Sequence, residues 1–315
     1  MTGSCVHRFH RLFVQTALWV MFGAALLLSA GCASTASREK TPVTHSGEAA
    51  ATSRSPLLAK TFEDAVARGD TAWNAGDVDM AIYLYIQALS FQPRDVVTLT
   101  KLGTIEQTQG NLPLAARAFE LAANAKPSDA NLSGRLGLIL TALGDKENAY
   151  KWLKLSVDNG NTDWRVVDQL SVVETKEGHY TDAVQYAGQA AAQAPKAALP
   201  LLHRAEAYYG MGRYEMAEYA ARDALRLTNL PDAWRLLGQI QAKQRAYPAS
   251  VDSLLHVMDS ATAYNMAGKL ALDNGDNAVA LRFFEKASVA SPVYMTETQR
   301  NVAIARERLS ATAEQ

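Results

Sequence analysis

The sequence predicts an all-α solenoid of about seven stacked helix-turn-helix units, closed by a C-terminal capping helix. Three series of residues recur at steps of 34 positions and lead to this prediction. The first series consists of small residues: Gly69, Gly103, Gly137, Ser171 and Ala205. The second is alanine: Ala81, Ala115, Ala149, Ala183 and Ala217. Glycines lie midway between the two: Gly76, Gly110, Gly144, Gly178 and Gly212. Three series that share one period indicate a single structural unit repeated along the chain.

Each part of this unit has a physical reason. The midway glycine can adopt the left-handed conformation that ends the first helix at little steric cost. Small residues on both sides of the turn let the two helices approach closely, where larger side chains would overpack the crossing. Acidic residues at the start of second helices, such as Asp77 and Asp145, are expected to accept hydrogen bonds from free backbone amides. Prolines such as Pro93, Pro127 and Pro195 end the unit, because proline cannot continue a helix.

We place the units of the solenoid over residues 61–294. Their ranges are 62–95, 96–129, 130–163, 164–197, 198–230, 231–260 and 261–294. The sixth unit departs from the pattern, because Arg245 replaces the turn glycine and Pro248 follows near the start of the second helix. Gly268 also comes only 30 residues after Gly238, so we expect a shortened second helix there.

The last residues, 295–315, are predicted to form the cap and a short tail. Thr296 to Ala311 has the composition of a charged helix that carries apolar Val302, Ile304 and Leu309. Such a helix can cover the open end of a repeat stack, whose last unit would otherwise expose its apolar face.

The repeated positions resemble the tetratricopeptide repeat family, whose pattern is Trp, Leu-Gly, Tyr, Ala, Phe, Ala and Pro. Trp234 and Leu237-Gly238 carry its strongest signature here, and Tyr85 and Phe119 occupy its aromatic positions. The resemblance extends over about three quarters of the chain. It implies a superhelix that binds other proteins, but it is weakly specific for any one function.

The N-terminal residues 1–31 resemble a lipoprotein signal peptide. Arg8 and Arg11 precede an uncharged stretch from Leu12 to Gly31, and Cys32 follows small residues as in a bacterial lipobox. We therefore predict lipidation at Cys32, followed by a flexible tether that completes the range 32–60. The alternative is an uncleaved membrane anchor, because about 20 uncharged residues can span a bilayer. Ala33, in place of the Asp of inner-membrane retention signals, favours the outer membrane.

Charge and motifs argue against several classes of function. The net charge is −1, and loss of the two arginines of the signal peptide would change it to −3, without any basic stripe for nucleic acid. The sequence has no phosphate loop, no zinc-protease or serine-hydrolase motif and no paired cysteines. We therefore expect no enzyme activity, cofactor, metal or small-molecule substrate. His179, His203 and His256 occupy different repeat positions and predict no shared site.

The resemblance also implies where a partner binds. In the family the first helices line the concave face, and the second, fifth, ninth, twelfth and thirteenth residues of each unit point into it. Carried over to this sequence, the candidate groove residues are Trp73, Gln107, Leu138, Val172, Leu202, Tyr209 and Gln239. No unit combines Lys at the fifth position with Asn at the ninth, so the family's carboxylate clamp is not expected. The alternative is that several of these side chains pack between neighbouring first helices.

A lipoprotein signal joined to such repeats resembles the TadD and pilotin group of Flp and type IV pilus assembly proteins. This resemblance implies a lipid-anchored scaffold in the bacterial envelope, at the outer membrane and facing the periplasm. Its partner would be a secretin or another component of pilus or secretion-system assembly. The alternative is a general outer-membrane adaptor that recruits envelope hydrolases or other enzymes.

Overall fold

The computed structural model describes residues 58–291 and 296–313. The predicted signal peptide, Cys32 and nearly all of the tether lie outside these residues. The described residues form fifteen helices and no strand, which confirms the predicted all-α class.

The helices follow one another as antiparallel pairs. The first three pairs are α1 (Phe62–Asn74) with α2 (Val78–Phe91), α3 (Val96–Thr108) with α4 (Leu112–Ala125), and α5 (Ala130–Leu143) with α6 (Lys146–Asp158). The next three are α7 (Trp164–Lys176) with α8 (Tyr180–Gln193), α9 (Leu199–Gly210) with α10 (Tyr214–Leu227), and α11 (Pro231–Lys243) with α12 (Tyr247–Leu254). The last pair is α13 (Ser260–Asp273) with α14 (Asn277–Ala290), and α15 (Thr296–Ala313) follows it.

Turn glycines and acidic caps set the ends of these helices. The five midway glycines have φ between 72° and 83°, in the left-handed region, as predicted. Asp77 and Asp145 accept hydrogen bonds from backbone amides at the starts of α2 and α6. First helices are capped as well, by Asp95, Asp129 and Asp163, which the sequence reasoning did not anticipate.

Within a pair, the glycine of the first helix receives a large side chain from the second helix, 16 residues later. A Cβ on Gly103 would lie 2.9 Å from the ring of Phe119, and one on Gly137 would lie 2.7 Å from Cγ of Leu153. The same contact joins Gly69 to Tyr85, Gly238 to Leu254 and Gly268 to Phe284. Where the first helix carries Ser171 or Ala205 instead, the residue 16 positions later is alanine: Ala187 and Ala221. A small residue on one helix thus faces a large one on the other, or two alanine-sized residues face each other. This matching of side-chain sizes keeps the distance between the two helices of a pair similar from unit to unit.

The sixth pair has the expected irregularity. α12 has only eight residues, whereas the other second helices have 13 or 14. Arg245 takes the place of the turn glycine with φ 61°, the only positive φ of a non-glycine residue among the described residues. Its guanidinium pairs with Asp276 at 3.3 Å, and the hydroxyl of Tyr247 donates to the same carboxylate. Ser250 donates to the carbonyl of Gly238 at 2.7 Å, so the short helix still packs against α11.

The C-terminal helix caps the stack. Val302 and Ala305 of α15 are buried in one cluster with Phe284 of α14. Thr298 and Asn301 are also buried and both donate to Oδ1 of Asn265 on α13, at 3.2 and 3.3 Å. Apolar and polar contacts together close the end of the core.

Neighbouring units are joined mainly by contacts between each second helix and the first helix of the next unit. Each second helix packs against the first helix of its own unit and against the first helix of the next, and α7, for example, also contacts both α5 and α9 directly. From α5 to α13, each first helix also contacts the next first helix directly. No described helix is both long enough and apolar enough to cross a membrane.

Candidate partner-binding groove

Side-chain bonds between successive first helices show which of their residues share one surface. Lys101 on α3 donates to Oδ1 and Oδ2 of Asp70 on α1 at 2.6 and 2.8 Å. Arg135 on α5 donates to Oε1 of Gln107 on α3 at 3.1 Å, and Nδ1 of His203 on α9 lies 2.9 Å from Oδ1 of Asp168 on α7. The bonded residues occupy the sixth position of one unit and the fifth, ninth or twelfth position of the unit before it.

We call the surface beside these bonds the groove. It consists of residues at the ninth and twelfth positions of the first helices, together with Thr100: Asp70, Trp73, Thr100, Thr104, Gln107, Leu138, Thr141, Val172, Thr175, Glu206, Tyr209 and Gln239. Because residues three apart lie on one side of a helix, the two positions of each unit adjoin. The groove therefore crosses six consecutive first helices.

Six of the seven candidate groove residues retain exposed surface. Trp73 is 38% exposed and Gln107 is exposed. Leu138, Val172, Tyr209 and Gln239 are half-buried, and the ring of Tyr209 lies 5.8 Å from that of Tyr214. Each of these six side chains is thus at least partly accessible to solvent.

Leu202 is different, because its side chain is 4% exposed and packs in the core with residues of α10 and α11. Leu202 is therefore a packing residue, as in the alternative interpretation of the candidate groove residues given above. Leu138 combines the two environments, since it is half-buried and also contacts the cluster around Leu153.

The middle of the groove is more apolar than its composition suggests. Each of its four threonines donates its hydroxyl proton to the carbonyl four residues earlier on its own helix. The distances are 2.6 Å for Thr100, 2.7 Å for Thr104, 3.0 Å for Thr141 and 2.9 Å for Thr175. These four hydroxyls are thus satisfied within their own helices, so the four threonines, together with Leu138 and Val172, offer mainly apolar surface on α3, α5 and α7. We call these six residues the apolar strip.

A pair of cations borders the strip. The guanidinium of Arg135 lies 4.4 Å above the ring of Phe119, and burial lowers its pKa. Lys101 holds Asp70 from one side while the hydroxyl of Tyr85 donates to it from the other at 2.6 Å. Burial alone would raise the pKa of Asp70, but these hydrogen bonds outweigh it and hold the pKa below its usual value. Both cations are therefore occupied by contacts within the fold.

The fourth and fifth units place ionisable groups in and beside the groove. The carboxylate of Asp168 is 7% exposed and His203 is 19% exposed. Burial lowers the pKa of His203, but the hydrogen bond and charge of Asp168 and the charge of Glu206 raise it more, so the pKa lies above its ordinary value. Burial also raises the pKa of Glu206. Sequence reasoning missed this cluster, because Asp168 and His203 are 35 residues apart and meet only when their units stack.

The other two histidines have unrelated partners. Nδ1 of His179 lies 2.8 Å from Oε2 of buried Glu174, and His256 stacks on Trp234 with ring centroids 3.7 Å apart. Over residues 58–291 and 296–313, no three His, Cys, Asp or Glu side chains are grouped as metal ligands would be.

A second exposed apolar surface lies on α10, which the sequence reasoning also missed. Tyr219 is 68% exposed and Met216 is 45% exposed, and with Tyr208 and Leu201 they line a hollow of about 390 Å³. Met216 and Tyr219 are three residues apart on one helix, which is the only sequence signal for this surface.

The comparison with protein families identifies part of the repeat array. Residues 100–163 and 202–257 match the family model described as tetratricopeptide repeat. The sequence matches no curated protein.

Solved structures with the same architecture extend the likeness beyond those two stretches. A tetratricopeptide repeat protein from Parabacteroides merdae is 17% identical, with 79% of this chain and all of that chain aligned and a TM-score of 0.51. YrrB, described as a tetratricopeptide repeat protein with an unusual peptide-binding site, is 18% identical over 54% of this chain and 88% of its own, with a TM-score of 0.50.

The pilF protein of Pseudomonas aeruginosa is 18% identical over 66% of this chain and 96% of its own, but its TM-score of 0.48 is too low to support an inference. At these identities the structural likeness concerns the fold alone. The described part of this chain is an all-α superhelix of the tetratricopeptide repeat type.

Proposed function

We propose that this protein is a non-enzymatic scaffold that binds a segment of another protein along the groove. Tetratricopeptide repeat proteins typically act as scaffolds for protein partners, and YrrB, with its peptide-binding site, is an example. The observation that carries the proposal here is the apolar strip, which runs over three consecutive first helices and keeps exposed surface on each of them. An amphipathic helix or an extended segment could bury its apolar side chains there.

Photo-crosslinking in intact cells tests this proposal. Tyr209 is replaced by benzoylphenylalanine, and Tyr219 on α10 provides the matched control, because it is also a tyrosine but lies outside the groove. The proposal expects a crosslinked partner from position 209 and none from position 219. Capture from position 219 alone would place the binding surface on α10 and refute the groove.

We further propose that the scaffold is lipidated at Cys32 and held at the outer membrane, facing the periplasm. The support is the lipobox-like sequence and the tether that follows it. Radioactive palmitate should label the wild-type protein, and Cys32→Ser should lose both the label and the membrane association. Membrane association without label on the wild type would favour the uncleaved anchor instead.

The system served is proposed to be pilus or secretion-system assembly, with a secretin or another assembly component as the partner. The support is the combination of a lipoprotein signal with repeats, which resembles the TadD and pilotin group. Mass spectrometry of the protein captured at position 209 tests this directly. A secretin or pilus component is the expected result, whereas a peptidoglycan hydrolase or protease would establish the adaptor function instead.

A further inference from the structure

The groove has six ninth-position residues, and we call the four between Asp70 and Gln239 the row: Thr104, Leu138, Val172 and Glu206. Neighbouring packed helices are about 8–10 Å apart, so the row spans roughly 24–30 Å. That length corresponds to about eight residues of an extended segment, or to about 18 residues of a helix. One partner segment can therefore contact the whole row, and the row changes from apolar to acidic at its last member.

Glu206 ends the row as a carboxylate without a direct partner. Its side chain is half-buried, and within the described residues it makes no hydrogen bond and no ion pair within 4 Å. Burial destabilises the ionised form of a carboxyl group that has no hydrogen-bond or ion-pair partner. Burial accordingly raises the pKa of Glu206. A cation brought by a partner would remove this cost.

Among the charged groups around Glu206, His203 has the strongest effect on its pKa and lowers it. Asp168 and Asp232 both add negative potential at its position, while His203 and Lys176 oppose it. Asp168 is bonded to His203, and Asp232 is paired with Arg235 at 2.5 Å, so both acids already have partners. Lys176 is exposed and makes no contact with Glu206 within 4 Å. Glu206 is thus the carboxylate of this cluster that remains open to a ligand.

We propose that the partner segment carries apolar side chains that cover the apolar strip and, at the end over the fifth unit, a lysine or arginine that pairs with Glu206. This inference rests on the proposed function, and it gives the segment both a composition and a direction along the groove. The carboxylate fixes the register of the segment, because an apolar residue at that point would leave a half-buried charge without a partner.

Selection from a phage library of random nonapeptides tests the inference on the full chain purified in detergent. Peptides enriched on the wild type should carry an apolar run with Lys or Arg at one end. Selection on Glu206→Lys should replace that basic residue by Asp or Glu. Glu215→Lys makes the same charge change at an exposed position on α10, and it should leave the wild-type preference intact. Far-UV circular dichroism confirms that each variant is folded.

Binding of one enriched peptide then measures the effect. Glu206→Gln should weaken it about tenfold, whereas Glu215→Gln should leave it unchanged. Leu138→Asp identifies the peptides that bind in the groove, because it should abolish their binding. If those peptides show no preference for a basic residue, this inference is overturned and the proposed function stands. Failure to select any peptide whose binding depends on Leu138 would overturn both.

Discussion

Replacing Gly137 by alanine should destabilise the solenoid, although alanine is the better helix former. A Cβ at this position would lie 2.7 Å from Cγ of Leu153 and 3.0 Å from its backbone nitrogen. A side-chain end could rotate away, but a backbone atom in the fully buried crossing of α5 and α6 cannot. Overpacking of this kind costs about 1–3 kcal/mol, and the alanine gains about 1 kcal/mol of helix propensity. The net loss in unfolding free energy should be about 0–2 kcal/mol.

Gly188→Ala is the matched control. Gly188 lies inside α8, and a Cβ there would meet no atom within 4 Å. The same change should therefore raise the unfolding free energy by about 1 kcal/mol. Because helix propensity cancels between the two variants, their difference of about 1–3 kcal/mol isolates the cost of overpacking. Urea denaturation followed by far-UV circular dichroism measures both.

A second background tests the cause. Leu153→Ala alone should cost about 2–5 kcal/mol through the cavity it leaves. In that background Gly137→Ala should be less destabilising than in the wild type, because the contact of 2.7 Å with the leucine side chain is lost and only the contact of 3.0 Å with the backbone nitrogen remains. If Gly137→Ala stabilises the wild type as much as Gly188→Ala does, the size-matching explanation of the repeat is wrong.

Three further predictions concern the sixth turn, the histidine cluster and the groove. Arg245→Gly should raise the unfolding free energy by up to about 1 kcal/mol and Arg245→Val should lower it, because the φ of 61° suits glycine and strains a branched side chain. Midpoints of urea denaturation test this, and equal midpoints for the two variants would contradict it. The pKa of His203 is raised on folding, so protonated His203 stabilises the fold fully below the unfolded pKa of 6.5, and this stabilisation is lost as pH rises through the folded pKa. His203→Gln should therefore reduce the fall in unfolding free energy over that pH range, and an unchanged slope would refute this. Leu202→Asp should cost roughly 3–5 kcal/mol, because it places a charge in the core, whereas half-buried Leu138→Asp should cost only about 1–2 kcal/mol and keep the helicity needed for binding assays. Comparable loss of helicity in both variants would show that Leu138 serves the core alone.

Periodicity predicted the local architecture well, because its causes are local. A glycine such as Gly144 ends a helix through its own backbone conformation, and small residues face each other across a turn of fixed length. The shortened α12 followed from the same reasoning, since Arg245, Pro248 and the early Gly268 are all visible in the chain. Contacts between residues of one unit repeat with the unit, and the sequence alone was sufficient for them.

Contacts between units were decided only by the tertiary structure. Leu138 and Leu202 are both leucines at family groove positions, the ninth and the fifth, yet Leu138 keeps exposed surface while Leu202 is enclosed by residues of α10 and α11. The pairing of Asp168 with His203, and the position of Glu206 beside them, likewise depend on how units four and five stack. A repeat pattern specifies which residues lie on the shared surface, but packing between units decides which of them remain open to a partner.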